Sequence, residues 1–209
     1  QETQPDRNQS EKLPQHIPIQ FGIIDPKGQD ITPDNKNVLE LKTNKKSFTF
    51  DNIPENSLPS IFRQFSAPVK VTTDLTDSDL SFLMASDTDD FNRWDAAQTL
   101  FFKEIEQLVK KDQKDEDLIV SKNLVNAFHK ALESHHTIDR AFLAKMLSLP
   151  METEIKGHFD LVDVDAIHRA RQYLKYELAD RLESSFINLI DICSKSDPES
   201  ISHDAMADR

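Results

Sequence analysis

The hydrophobic period of this chain changes once, near residue 76, and that change limits the folds open to it. Before it, apolar residues alternate. In "HIPIQFGIID", Ile17, Ile19, Phe21 and Ile23 fall on one face, with Pro18, Gln20 and Gly22 between them. A period of two predicts a half-buried strand. "DPKGQD" follows, with Pro26 and Gly28 placed for a tight turn. "NVLELK" and "SFTFDNI" read as two further strands, joined by a hairpin loop at "TNKK". "SIFRQFS" and "PVKVTTD" read as two more, divided by Ala67 and Pro68. Several short strands with turn signals predict an antiparallel β-sandwich of the Ig-like kind. The polar opening, "QETQPDRNQSEKLPQ", is expected to be a loop or a frayed tail.

From "LTDSDLSFLM" onward the spacing is helical. Thr76 or Asp77 supplies the short side-chain oxygen that caps a helix N-terminus, and Phe82, Leu83 and Met84 begin an apolar stripe. Gly157 is the sole glycine after Gly28, and a long stretch without glycine is easier to build from helices than from turns. Leu124, Phe128 and Leu132 stand four apart, and "IDRAFLAKML" places Asp139 in a first turn, where the helix dipole favours an acid. Leu149-Pro150 closes that helix. In "DVDAIHRARQYLKYELADRLESSFINLIDIC", Ile167, Leu174, Leu178, Leu182, Leu189 and Cys193 share one predicted stripe. Roughly five or six helices joined by short loops are expected, packed as antiparallel pairs. The fold class is therefore α+β in separate domains: a β-sandwich over residues 1–75, then an α-helical array over residues 76–209.

Charge follows the same division. Residues 1–75 carry 9 Lys/Arg and 10 Asp/Glu, whereas residues 76–209 carry 16 and 27. An acidic surface repels phosphates, which argues against nucleic acid as a partner. No apolar run approaches the ~20 residues that span a bilayer, and no signal-peptide pattern opens the chain, so no membrane partner is expected. The lone Cys193 allows no internal disulfide and points to a reducing, cytoplasmic setting. The chain opens on Gln1 rather than Met, as a segment of something longer or a processed chain would.

Few residues carry the pattern of a reactive site. His129 and Glu133 are four apart on a helix and share a face, but His136 falls beyond the expected helix end, and a zinc site needs three or four fixed ligands. The acids Asp87, Asp89 and Asp90, and Asp112, Asp115, Glu116 and Asp117, lack the central glycine of a calcium loop and read as helix caps or inter-helix loops. There is no G-x-S-x-G, no Gly-rich phosphate loop and no C-x-x-C. Cys193 reads as a buried small hydrophobe. The one Trp lies in "DDFNRWDAAQTL", where Asp89 or Asp90 can cap a helix. Phe91, Trp94, Gln98, Phe101 and Ile105 then form its inward stripe, flanked by Arg93 and Asp95. Trp94 is read as a core anchor rather than a ligand-stacking ring.

At this point the sequence resembles a known family. "FRQFSAPVKVTTDLTDSDLSFLMASDTDDFNRWDAAQTL", above all "FSAPVK" and "RWDAAQ", is similar to a segment of the bacterial aminopeptidase N family, the zinc-dependent gluzincins that trim N-terminal residues from peptides. The likeness continues through "VNAFHKAL", "IDRAFLAKMLSLP" and "FDLVDVDAIHRARQYLKYELADRLE", and upstream through "HIPIQFGIIDPKG" and "FTFDNI". The resemblance implies a small β-sandwich followed by the opening helices of a C-terminal helical domain. The family's zinc site is H-E-x-x-H with a distant Glu, and its substrate amine is held by a G-x-M-E-N segment; this chain has neither. No catalytic, cofactor-binding or metal residue is therefore assigned, and no cofactor is expected within the chain. The resemblance implies one zinc ion elsewhere in a parent enzyme, with the parent's remaining domains as partners and peptides as its substrates. A free-standing interaction module is the rival expectation.

Overall fold

The computed structural model describes every residue except 3, 4, 6, 34, 35, 197, 198, 201 and 209, some of which fall in the expected N-terminal loop. The chain forms two compact units. The first comprises Gln1–Asp74 with Ser86–Asn92, and the second Leu75–Ala85 with Arg93–Arg209.

The first unit is built on one strand. β1 (Ile17–Ile24) pairs antiparallel with β2 (Asp30–Ile31), β3 (Val38–Leu41) and β4 (Leu58–Ile61). Its first half lies against β3, with Ile17 opposite Leu41 and Ile19 opposite Leu39. Its second half lies against β2 and β4, with Ile23 opposite both Ile31 and Pro59. The β1–β2 turn is closed by Asp25, whose Oδ1 accepts the N–H groups of Lys27 and Gln29 at 2.8 Å. Gly28 supplies the left-handed residue at φ 80°.

Alternation describes only the first half of β1. Residues 21–24 are buried on both faces, and Ile24 is fully buried, so the strand is not half-buried throughout as expected. Residues 47–53 form no strand. Asn52 turns left-handed at φ 57°, yet the segment still contributes Phe50, stacked on Phe21 at 5.1 Å between ring centroids. "TNKK" is consequently no hairpin loop between paired strands. Residues 60–66 are extended only to Ile61. Phe62, Gln64 and Phe65 then take φ of 58°, 53° and 54° and wind a left-handed turn. Residues 68–74 pair with nothing in a ladder: Pro68 lacks a donor, and the chain there is mostly exposed.

The second unit is helical: α1 (Asp77–Ser86), α2 (Asp90–Asp112), α3 (Lys122–Glu133), α4 (Arg140–Leu147), α5 (Glu152–Lys156), α6 (Val164–Arg181), α7 (Glu183–Cys193) and α8 (His203–Asp208). All of α1 but Ser86, and α2 from Arg93 onward, belong to it. Local chemistry sets the helix starts. Thr76 Oγ1 accepts from Asp79 N–H while Asp79 Oδ2 accepts from Thr76 N–H, a reciprocal cap that fixes α1. Ser121, Asp139 and Asp163 cap α3, α4 and α6 in the same manner, each accepting from a backbone N–H three residues on. Asp139 is thus the cap itself rather than a first-turn residue. The core gathers Leu100, Phe101, Ile105 and Leu108 of α2, Leu124 and Phe128 of α3, Met146 of α4, and Ile167 and Leu174 of α6.

Two stripes differ from their expected course. On α2, Gln98, Phe101 and Ile105 are buried as expected, but Arg93, Ala97, Glu104 and Leu108 share the buried face, while Phe91 and Trp94 are half-exposed. Arg93 points inward, where its guanidinium donates to Met84 O at 3.1 Å and Ser134 Oγ at 3.4 Å. A cation on the last carbonyls of α1 complements that helix's dipole. The long C-terminal pattern is two helices, not one. Leu182 leaves helical geometry at φ −116°, ψ 14°, which resets the phase. Ile167, Leu174, Leu178 and Leu182 are buried, whereas Leu189 and Cys193 are only half-covered.

Candidate functional site: a buried arginine cluster and an open apolar groove

The residues singled out by sequence do not converge. His129 and Glu133 stand 3.7 Å apart on the exposed face of α3. His136 lies in the 3-10 turn Ser134–His136, its ring edge-on to His135. Asp112 is held bidentately by Arg169, with contacts of 2.6–3.2 Å, and Asp115 sits at φ 53° in the turn that ends α2, beside Glu116 and Asp117. Among the described residues, no group of three or more His, Cys, Asp or Glu side chains is placed to hold a metal ion. The zinc implied by resemblance therefore finds no fitting donor set in them. Burial, with Asp208 nearby, pushes the Cys193 thiol up from its ordinary range, so this half-covered cysteine is a poor nucleophile.

Of the acids at 87–90, Asp87 and Asp89 belong to a built cluster, within the first unit and around a residue that sequence reading passed over. Arg63 is nine-tenths buried. Its Nε donates to Ser60 Oγ at 2.8 Å, its Nη1 to Asp30 Oδ2 at 2.6 Å, and its Nη2 reaches Asp87 Oδ1 at 3.5 Å. Thr88 Oγ1 donates to the same Asp30 oxygen, and Asn92 Nδ2 donates to Ser60 Oγ and Ile61 O. Asp89 caps α2 by accepting from Asn92 N–H at 3.0 Å, and its other oxygen accepts from Gln64 N–H inside the left-handed turn. Gly22 makes room for all of this: a Cβ there would lie 2.2 Å from Arg63 Nη1. A glycine within an alternating strand marks a close approach of some other group, and that was the available signal. Burial tends to raise Asp30, but Arg63 and Thr88 outweigh it and hold the carboxyl below its ordinary range. Asp87 goes the other way. Its side chain has no exposure, and burial pushes it up.

The second unit carries an open groove of about 1040 Å³ between α4, α6 and α7, lined by Leu143, Leu147, Leu178, Phe186, Ile187 and Ile190 with Arg140, Lys175 and Asp180 among them. Ile187 and Ile190 are 59% and 68% exposed, and no residue of α7 is buried. Apolar side chains on one helix face, uncovered, are the kind of surface that binds another protein segment. Among the described residues, no helix is long and apolar enough to cross a membrane.

An antiparallel β unit followed by capped, paired helices defines a class: an Ig-like domain joined to a helical-repeat domain. The chain belongs to the family described as "Domain of unknown function (DUF3458_C) ARM repeats", matched over residues 77–209, and residues 1–74 match its companion, "Domain of unknown function (DUF3458) Ig-like fold". It is 33% identical to aminopeptidase N of Escherichia coli (strain K12) over 208 residues, which is 97% of this chain and 24% of that protein. Aminopeptidase N of Haemophilus influenzae is 31% identical over 90% of this chain and 22% of its own length. Among solved structures, Legionella pneumophila aminopeptidase A in complex with aspartic acid aligns at a TM-score of 0.75 and 28% identity, over 88% of this chain and 21% of that one. The chain spans about a quarter of the length of the curated relatives it matches.

Proposed function

We propose that this chain is a non-catalytic segment of an aminopeptidase N-type enzyme, which removes N-terminal residues from peptides with a zinc ion bound outside the segment. The observation that carries this reading is the alignment of 97% of the chain with a segment making up 24% of its relative. The donor set agrees with it. The seven histidines form no H-E-x-x-H, and a catalytic zinc needs three protein ligands around an open position. In this reading the β unit is a structural spacer, and the helices are the root of the helical part that restricts access to the active site. The parent's remaining domains are the partners, and the cytoplasm is the compartment, in keeping with a single unpaired cysteine. The open groove favours a second reading, a self-standing interaction module. The coding frame separates the two. Our reading expects H-E-x-x-H and a more distant Glu upstream in the same frame; a frame without them supports the interaction module.

A further inference from the structure

We propose that the Arg63 cluster is a proton-operated latch, in which uptake of a proton by Asp87 tightens the hold of the segment 86–92 on the β unit. The geometry sets one guanidinium against two carboxylates. Asp30 takes the short contact, at 2.6 Å, and Asp87 is left with the long one, at 3.5 Å. The Asp87 side chain is fully buried, and although Ser60 and the Asp89 N–H favour its charge, its Oδ2 has no hydrogen-bond partner among the described residues, so an ionised Asp87 leaves a negative charge there only partly answered.

The other charges nearby do not answer it. Asp89, on the same loop, adds a like charge, and its oxygens are occupied by Asn92 N–H and Gln64 N–H. Asp90 follows it as the first residue of α2. From the β1–β2 turn, which approaches this segment where Gly28 meets Ser86, Asp25 accepts the backbone N–H groups of Lys27 and Gln29. The oxygen that takes the proton is Oδ2. Oδ1 goes on accepting from Asp89 N–H at 2.9 Å, so the turn leading into the α2 cap survives protonation.

Burial raises Asp87 above its unfolded value, which fixes the sign. Between the unfolded and folded values the folded state binds the extra proton, so stability rises as pH falls through the folded value and is lost as pH rises. Asp30, held low, acts oppositely and only at more acidic pH: its contribution is lost as pH falls through its own depressed value.

The test is a carboxyl carbon NMR titration of the whole chain, with amide exchange of residues 21–24 and 86–92 followed over the same pH range. Asp87 is expected to titrate at higher pH than the exposed aspartates in the same spectrum, and protection of those amides, corrected for intrinsic exchange, to increase through that transition. Asp30→Asn frees the guanidinium for Asp87 and should move its midpoint down. Asp87→Asn should abolish the protection change while keeping the fold. An Asp87 that titrates with or below the exposed aspartates, or one that titrates high without a change in protection, overturns the latch. The wild-type titration decides even where a variant fails to fold.

Discussion

Arg63→Ala is expected to unfold the first unit selectively, lowering its stability by about 3–5 kcal/mol, the range for removing one partner of a buried ion pair. The loss has identifiable parts. Asp30 loses its 2.6 Å contact, Ser60 Oγ loses a donor, and fully buried Asp87 is left without the Arg63 guanidinium. Three left-handed residues beside Arg63, each costing about 1–2 kcal/mol relative to ordinary backbone, are then less firmly held. A unit of this size has little stability to spare. Trp94 lies in the other unit, so its fluorescence is the wrong probe. Hydrogen exchange of the β1 amides is the right one, and near-native protection in the variant would show that the cluster contributes little. Arg63→Lys keeps the charge but not the fork, and should recover only part of the loss.

The second large effect lies in the helical unit. Phe101 is fully buried on α2 and tilts against Phe128 with ring centroids 6.0 Å apart. Phe101→Ala should cost about 3–5 kcal/mol through lost burial and the cavity left behind. Trp94→Ala should cost clearly less, because that ring is half-exposed. Urea unfolding followed by circular dichroism at helical wavelengths compares the two directly. A Trp94 variant as damaged as the Phe101 variant would restore the indole to the core.

These two residues also mark how far the sequence could be read. The change of period near residue 76 is a collective signal, summed over many positions, and the strands and helices fall on the expected sides of it. Single-face assignments were weaker. On α2, the expected stripe holds at Gln98, Phe101 and Ile105, but it takes in the half-exposed Phe91 and Trp94 and leaves out Arg93 and Glu104, which are inside. Hydropathy ranks both as outward, and only their partners, Met84 O and the N–H of Ser121, explain their burial. Leu182 broke the C-terminal helix through backbone geometry that no Pro or Gly announces. The Arg63 cluster joins residues 22, 30, 60, 63, 87 and 92, whose convergence depends on strand register rather than local spacing. The segments at 47–53 and 68–74 have strand-like composition, but β propensity needs a partner edge, and they have none.

Whether this chain carries peptidase chemistry of its own, which the proposed function denies, is decided by assaying the purified chain on an alanine-anilide substrate with and without added zinc, with metal analysis of the same sample. No turnover is expected in either condition, and no stoichiometric tightly bound metal, since among the described residues no group of three or more His, Cys, Asp or Glu side chains is placed to hold one. Turnover that persists through repurification and disappears on chelation would contradict the proposed function.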